Sequence, residues 1–189
     1  MAAAPGEMSN ALYGAYRLAR IDPQGMDYFR NTPGAFWRSF KAALIIAPFY
    51  IALLMMRYES GEVSTPFIRY AAVEIIAYVI AWFAFPVLMD LLTKALDRRE
   101  KYIRFIIAYN WAAVLQNLLY LPFAMLSVNG VLPEGSVGML GMSVLIIIMS
   151  YTFYITKVAL DLPGSRAFSI VAIDFTLSLL INGYAEKLL

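Results

Sequence analysis

The chain has no cysteine and no histidine, and only 15% of its 189 residues are charged. Without cysteine, disulfides and thiolate metal sites are excluded. Without histidine, the chain lacks the side chain most used for metal ligation and for proton transfer near neutral pH, and with it every Ser–His or Cys–His nucleophile. The scarcity of charge is as informative. A soluble domain of this length carries about a quarter charged residues, whereas this chain is 61% hydrophobic with a mean hydropathy of +0.67. One small core cannot bury that much apolar surface; a lipid-facing exterior can expose it. Also missing are a Gly-rich phosphate loop, a nucleophile elbow and a metal-binding pair. The residue inventory therefore argues against an enzyme and implies no catalytic residue, no metal and no cofactor. The opening Met1-Ala-Ala-Ala-Pro-Gly-Glu7 lacks a basic start followed by an apolar run, so it does not read as a signal peptide.

A helix crosses the roughly 30 Å of bilayer hydrocarbon with about 20 mostly apolar residues. Stretches of that kind fall at about 36–56, 66–92, 105–128, 135–156 and 167–185, the third and fourth without a single charge. The expected fold is all-α, a polytopic integral membrane bundle of about five transmembrane helices over 36–189. An amphipathic cytosolic or interfacial segment, 1–35, precedes it. In that segment Ser9 reads as the cap of a short helix with Met8, Leu12, Tyr16 and Ala19 near one face. This helix either lies along the headgroups or packs on the protein's own cytosolic side. Asp22-Pro23-Gln24-Gly25 reads as a turn. Thr32-Pro33 reads as a cap with proline at the first helical position, and Phe36, Trp37 and Phe40 suit an aromatic belt. Pro48, Pro86 and Pro122 fall inside spans and permit kinks. Asn182-Gly183 could end the fifth span near Ile181.

Charge distribution sets the orientation. With the N-terminus inside, Arg17, Arg20, Arg30, Arg38, Lys41, Lys94, Arg98, Arg99, Lys101, Arg104, Lys157 and Arg166 all lie on the cytoplasmic side, and only Arg57, Arg69 and Lys187 lie outside. That bias follows the positive-inside rule. It puts the N-terminus in the cytoplasm and the C-terminus on the far side of the membrane.

Polar side chains inside hydrocarbon are costly and are default functional candidates. Here they are Glu74, Asn110, Gln116, Asn117 and Asp174. Depth along each helix, at 1.5 Å per residue, matches Glu74 with Gln116 or Asn117, and Asp174 with Asn110. Such pairs either fasten helices together or line a proton or solute pathway. Gly135, Gly138 and Gly141 recur every third residue of the fourth span and would let another helix approach closely. The run containing Lys94, Arg98, Arg99, Lys101 and Arg104 could face anionic headgroups, although Asp97 and Glu100 dilute it. An ordinary positive-inside loop accounts for it as well, and nothing supports nucleic-acid binding.

The segment Tyr109-Asn-Trp-Ala-Ala-Val-Leu-Gln-Asn-Leu-Leu-Tyr-Leu-Pro122 resembles third spans of bacterial members of the broad Yip family of small polytopic membrane proteins. The opening Leu12-Tyr-Gly-Ala-Tyr-Arg-Leu-Ala-Arg20 is similar to the start of small alphaproteobacterial membrane proteins. The resemblance implies five spans, a cytosolic N-terminal segment and compact loops, with no catalytic residues to carry over. It also implies that the membrane is a bacterial inner membrane and that the far side, which holds the C-terminus, is the periplasm. The trafficking role of eukaryotic members with small GTPases does not extend to a bacterial chain. Three functions follow as expectations: a non-catalytic accessory or scaffolding subunit packing against other membrane proteins or itself; a small solute or proton-coupled transporter using Glu74 and Asp174; or a lipid-binding organiser of the bilayer.

Overall fold

The computed structural model describes residues 5–189, and the first four residues of the opening read for a leader lie outside it. Seven α-helices carry the fold: α1 (Pro5–Ala19), α2 (Pro33–Ser39), α3 (Lys41–Glu59), α4 (Phe67–Ala95), α5 (Tyr102–Val128), α6 (Glu134–Leu160) and α7 (Gly164–Lys187). A 3-10 segment, Pro23–Tyr28, and a 3-10 turn, Arg99–Lys101, complete them, and no strand occurs among the described residues. Five stretches are long and apolar enough to cross a membrane: Pro33–Glu59, Phe67–Ala95, Arg99–Val128, Gly135–Leu160 and Gly164–Lys187.

The first of these stretches is broken at Phe40, where the sequence reads as one continuous helix. Ser39 sits at the break. Its hydroxyl donates back to the Phe36 carbonyl at 2.6 Å and accepts from Asn110 of α5 at 2.9 Å. Pro48, Pro86 and Pro122 are accommodated inside α3, α4 and α5 without ending them. Asn182-Gly183 does not end α7, which runs on to Lys187. A helical glycine costs about 1 kcal/mol relative to alanine, and the turn beyond it packs through buried Ala185.

Helix α5 is the hub. Its Phe105, Ile106, Ala108 and Trp111 meet Phe85 and Met89 of α4, Ile155 and Leu160 of α6, and Ile170 of α7 in one core. The spans pack side by side in the order α3, α5, α6, α7, α4, with α4 packed principally on α7 and only sparsely on α3 and α5. Aromatic contacts thicken the thin α3–α4 seam. Tyr50 stacks on Tyr78 at 4.9 Å and Tyr58 on Tyr70 at 5.7 Å. Tyr78 donates to the Ala43 carbonyl at 2.7 Å and Tyr70 to that of Leu54 at 3.3 Å.

The N-terminal segment is no detached appendage. Ala11, Ala15, Leu18, Met26 and Phe29 belong to the same core as α5, and Tyr151 of α6 donates to the Ala15 carbonyl at 2.7 Å. Of the two placements open to this helix, packing on the protein's own surface is the one observed. Two details differ from the sequence reading. Helix α1 already includes Pro5, so Ser9 lies inside it and does not cap it. The buried stripe is Ala11, Gly14, Ala15 and Leu18, while Met8 and Tyr16 are exposed. The face is turned by about one residue, or 100°, because the 3-10 segment docks through glycine. A Cβ on Gly14 would stand 2.9 Å from the Gly25 carbonyl oxygen, and a Cβ on Gly25 only 2.6 Å from that of Gly14.

The C-terminal ends of α1, α4, α5 and α6 follow one pattern. Asp22 N–H reaches the Arg17 carbonyl, Arg98 that of Thr93, Val131 that of Leu126, and Leu162 that of Lys157. These are Schellman closures, with Ile21, Asp97, Gly130 and Asp161 in the left-handed conformation. Aspartate and glycine tolerate that region. A β-branched residue rarely does, which makes Ile21, at φ 60°, the strained end. The 3-10 segment starts from Asp22, whose carboxylate accepts from Gln24 N–H at 3.0 Å. Thr32 caps α2 by accepting from Ala35 N–H at 3.2 Å.

Candidate functional site

The five intramembrane-type polar residues each have their own partners, and none is paired as depth alone suggested. Glu74 of α4 keeps only 8% of its side chain exposed, and its nearest charge is Arg57 of α3, Nη1 to Oε1 3.9 Å. Tyr50 of α3 donates to Oε2 at 2.9 Å. Gln116 turns the other way and donates to Thr152 of α6 at 2.9 Å, and Asn117 donates to the Ala113 carbonyl of its own helix at 2.8 Å. Asp174 of α7 accepts from Tyr109 of α5, whose hydroxyl is 3.0 Å from each carboxylate oxygen. Asn110 instead donates to Ser39 Oγ at 2.9 Å, and its carbonyl oxygen is buried without a hydrogen-bond donor.

The reason is geometric. Matching depth fixes position along the axis but not around it, and each step along a helix turns the side chain by 100°. Tyr109 faces α7, so Asn110 faces the α2–α3 junction. Tyr50, Arg57, Tyr109, Ser39 and Thr152 are therefore site residues that depth matching missed. A usable signal was present. Tyr50 and Arg57, two turns apart on α3, share a face, and Tyr109 immediately precedes a residue already singled out.

Above Glu74 the helices part around a cavity of about 730 Å³. It opens at the end of the bundle where α3, α5 and α7 finish and α4 and α6 begin. Helices α3 to α7 all contribute to its wall, and Arg57, Glu62, Glu74 and Glu186 bring the charge. Glu62 also faces Arg57, Nε to Oε2 3.8 Å. At the same end Arg69 donates to the Leu188 carbonyl at 2.6 Å and Thr65 to that of Leu189, tying the α3–α4 loop to the end of α7.

The opposite end is laced by charge pairs. Lys94 pairs with Asp90 one turn away, Lys101 with Asp161 at 3.2 Å and Arg104 with Asp27 at 3.1 Å. Arg98 donates to the carbonyls of Leu160, at 3.2 Å, and Asp97, at 3.0 Å. Arg38 holds Glu7 at 2.7 Å. Arg17 meets Asp22 at 2.5 Å, and its hydrogen bond to that carboxylate, followed by one to Tyr28, raises its pKa above the ordinary arginine value. Of the five basic residues expected to face lipid headgroups, four thus have partners within the chain.

The glycine row of α6 divides. A Cβ on Gly141 would meet the Phe123 ring at 3.3 Å, whereas Gly135 and Gly138 have nothing within 4 Å. Only 6% of the most apolar window of α6 is buried inside the protein, against 17–28% for the other four candidate spans. Among the described residues no group of three or more acidic side chains is placed to hold a metal ion. Comparison with protein-family models, curated proteins and solved structures gives no match.

Proposed function

We propose that the chain is a non-catalytic, multi-pass membrane protein that serves as an accessory or scaffolding subunit, with α6 as its contact helix. The observation that carries this reading is the bareness of α6, the least covered candidate span, whose Gly135 and Gly138 meet nothing in the chain. In lipid there is no hydrophobic gain when two helices meet, so association draws on close packing, which small residues allow. The partner is another membrane-embedded helix, supplied by a different protein or a second copy. Membership of a Yip-like group belongs to the same reading and is supported by the 109–122 segment. The lipid-organising alternative is less supported, because the internal partners of Lys94, Arg98, Lys101 and Arg104 leave less free charge for headgroups.

Orientation is part of the proposal: N-terminus in the cytoplasm and C-terminus across the inner membrane of a bacterium. Twelve basic residues lie at the end bearing α1, against three at the cavity end.

The test uses Gly138→Leu. Since a Cβ there has nothing within 4 Å among the described residues, the substitution should not destabilise the isolated protein and should gain up to about 1 kcal/mol from helix propensity. It should nonetheless abolish the stoichiometric complex recovered by gentle detergent extraction and crosslinking. A native chain that extracts strictly as a partner-free monomer, or a variant that keeps its complex, would overturn the reading.

A further inference from the structure

We infer that the cavity above Glu74 is a binding site for a small organic ammonium ion. The inference concerns binding alone and does not rest on the α6 contact proposed above.

Volume comes first. At about 730 Å³ the cavity lies within the range of about 300–1,000 Å³ typical of small-molecule sites. Its charge selects the ligand. Three carboxylates, Glu62, Glu74 and Glu186, face it with one guanidinium, Arg57. The other charged side chains of that end balance, Glu59 and Glu134 against Arg69 and Lys187 in the sequence, so the excess of carboxylate belongs to the cavity itself. A recess with apolar walls focuses such a field inward.

Glu74 gives the site its anchor. A carboxylate accepts about four hydrogen bonds, and this nearly buried one takes one, from Tyr50 at 2.9 Å. Its other oxygen faces Arg57 at 3.9 Å, beyond hydrogen-bonding distance. A buried carboxylate held so loosely gains by a closer cation. An ammonium group can approach Oε1 while Arg57 swings toward Glu62, already 3.8 Å away. Tyr120 and Phe123 line the same space, and aromatic faces favour an organic cation over a hydrated metal ion. The ammonium has two sources, a free amine or the headgroup of an aminophospholipid. Both present the same chemistry to Glu74.

The experiment is calorimetric titration of the full-length protein in amine-free detergent with benzylammonium. Benzoate and benzyl alcohol serve as matched anionic and neutral probes. Benzylammonium should bind saturably at one site and the other two should not. Glu74→Gln, which retains an acceptor for Tyr50, should weaken binding about tenfold or more. Arg57→Met should strengthen it about threefold by removing the competing cation, a sign that a purely structural role for Arg57 does not give. Should Glu74→Gln fail to fold, Glu186→Gln at the rim replaces it, with an expected weakening of about threefold. Reconstitution into phosphatidylglycerol vesicles with and without phosphatidylethanolamine then separates the sources. Competition by the latter identifies a headgroup, and unchanged binding identifies a free amine. Equal binding of benzoate or benzyl alcohol, or affinity for benzylammonium indifferent to the folded carboxylate variant and to Arg57→Met, would overturn the inference.

Discussion

Tyr109 and Asp174 form a hydrogen-bonded bridge from the hub helix to α7, with the hydroxyl 3.0 Å from both carboxylate oxygens. Tyr109→Phe keeps the ring in place, 4.7 Å from Phe85, but strips the carboxylate of its donor. The expected loss is about 1–3 kcal/mol, larger than the mean of about 0.6 kcal/mol for interhelical hydrogen bonds in lipid. Adding Asp174→Leu should recover most of it, since removing both partners of a buried pair is nearly neutral. Thermal unfolding of the four proteins in detergent completes the double-mutant cycle, and strictly additive losses would show that the pair is uncoupled. The limit of sequence reading is plain at these residues. Asp174 stands out because a carboxylate in an apolar run is rare, and its depth can be counted. Its partner cannot be found by counting, because tyrosine is ordinary in such runs and the angle around the helix depends on how neighbours pack.

At the scale of elements, hydropathy marks the five long helices well, because lipid-length apolar runs have few other uses. It says less about α1, whose buried face is mostly alanine and glycine, with Leu18 its one large fully buried side chain. Gly25 reads locally as a turn residue, and Gly14 as an ordinary helical glycine; only the assembled structure reveals that they face one another. Their contact is with backbone, which cannot give way as a flexible side chain can. Gly14→Ala and Gly25→Ala should each cost about 1–3 kcal/mol through overpacking and make the N-terminal segment sensitive to limited proteolysis. Gly6→Ala is the control. It has nothing within 4 Å and should be neutral or slightly stabilising, given alanine's better helix propensity. Should all three variants resist protease like the native chain, the glycine contact does not hold the segment in place.

The whole molecule has two unlike ends. One carries twelve basic residues and seven acidic ones, the other three basic residues and five glutamates, with Asp174 between them. Pairing at the first end fastens α1 and the loops to the spans. It leaves the excess of positive charge that holds such an end in the cytoplasm. Reporter fusions should therefore place the α4–α5 turn and the N-terminus on the cytoplasmic side, and the α5–α6 loop, 129–133, on the other. A loop reporter facing the cytoplasm would refute the orientation and detach the cavity from the outer surface.

The order of packing also bears on how the protein is made. Helices α3 and α5 find each other, while α4, between them in the chain, packs principally on α7. On the membrane-spanning reading proposed above, α4 would enter the bilayer well before the surface that covers it, since α7 begins only at Gly164. Until α7 is made, the face of α4 that it covers stands open, and on that reading a chain cut short before Gly164 should be degraded faster than the full one.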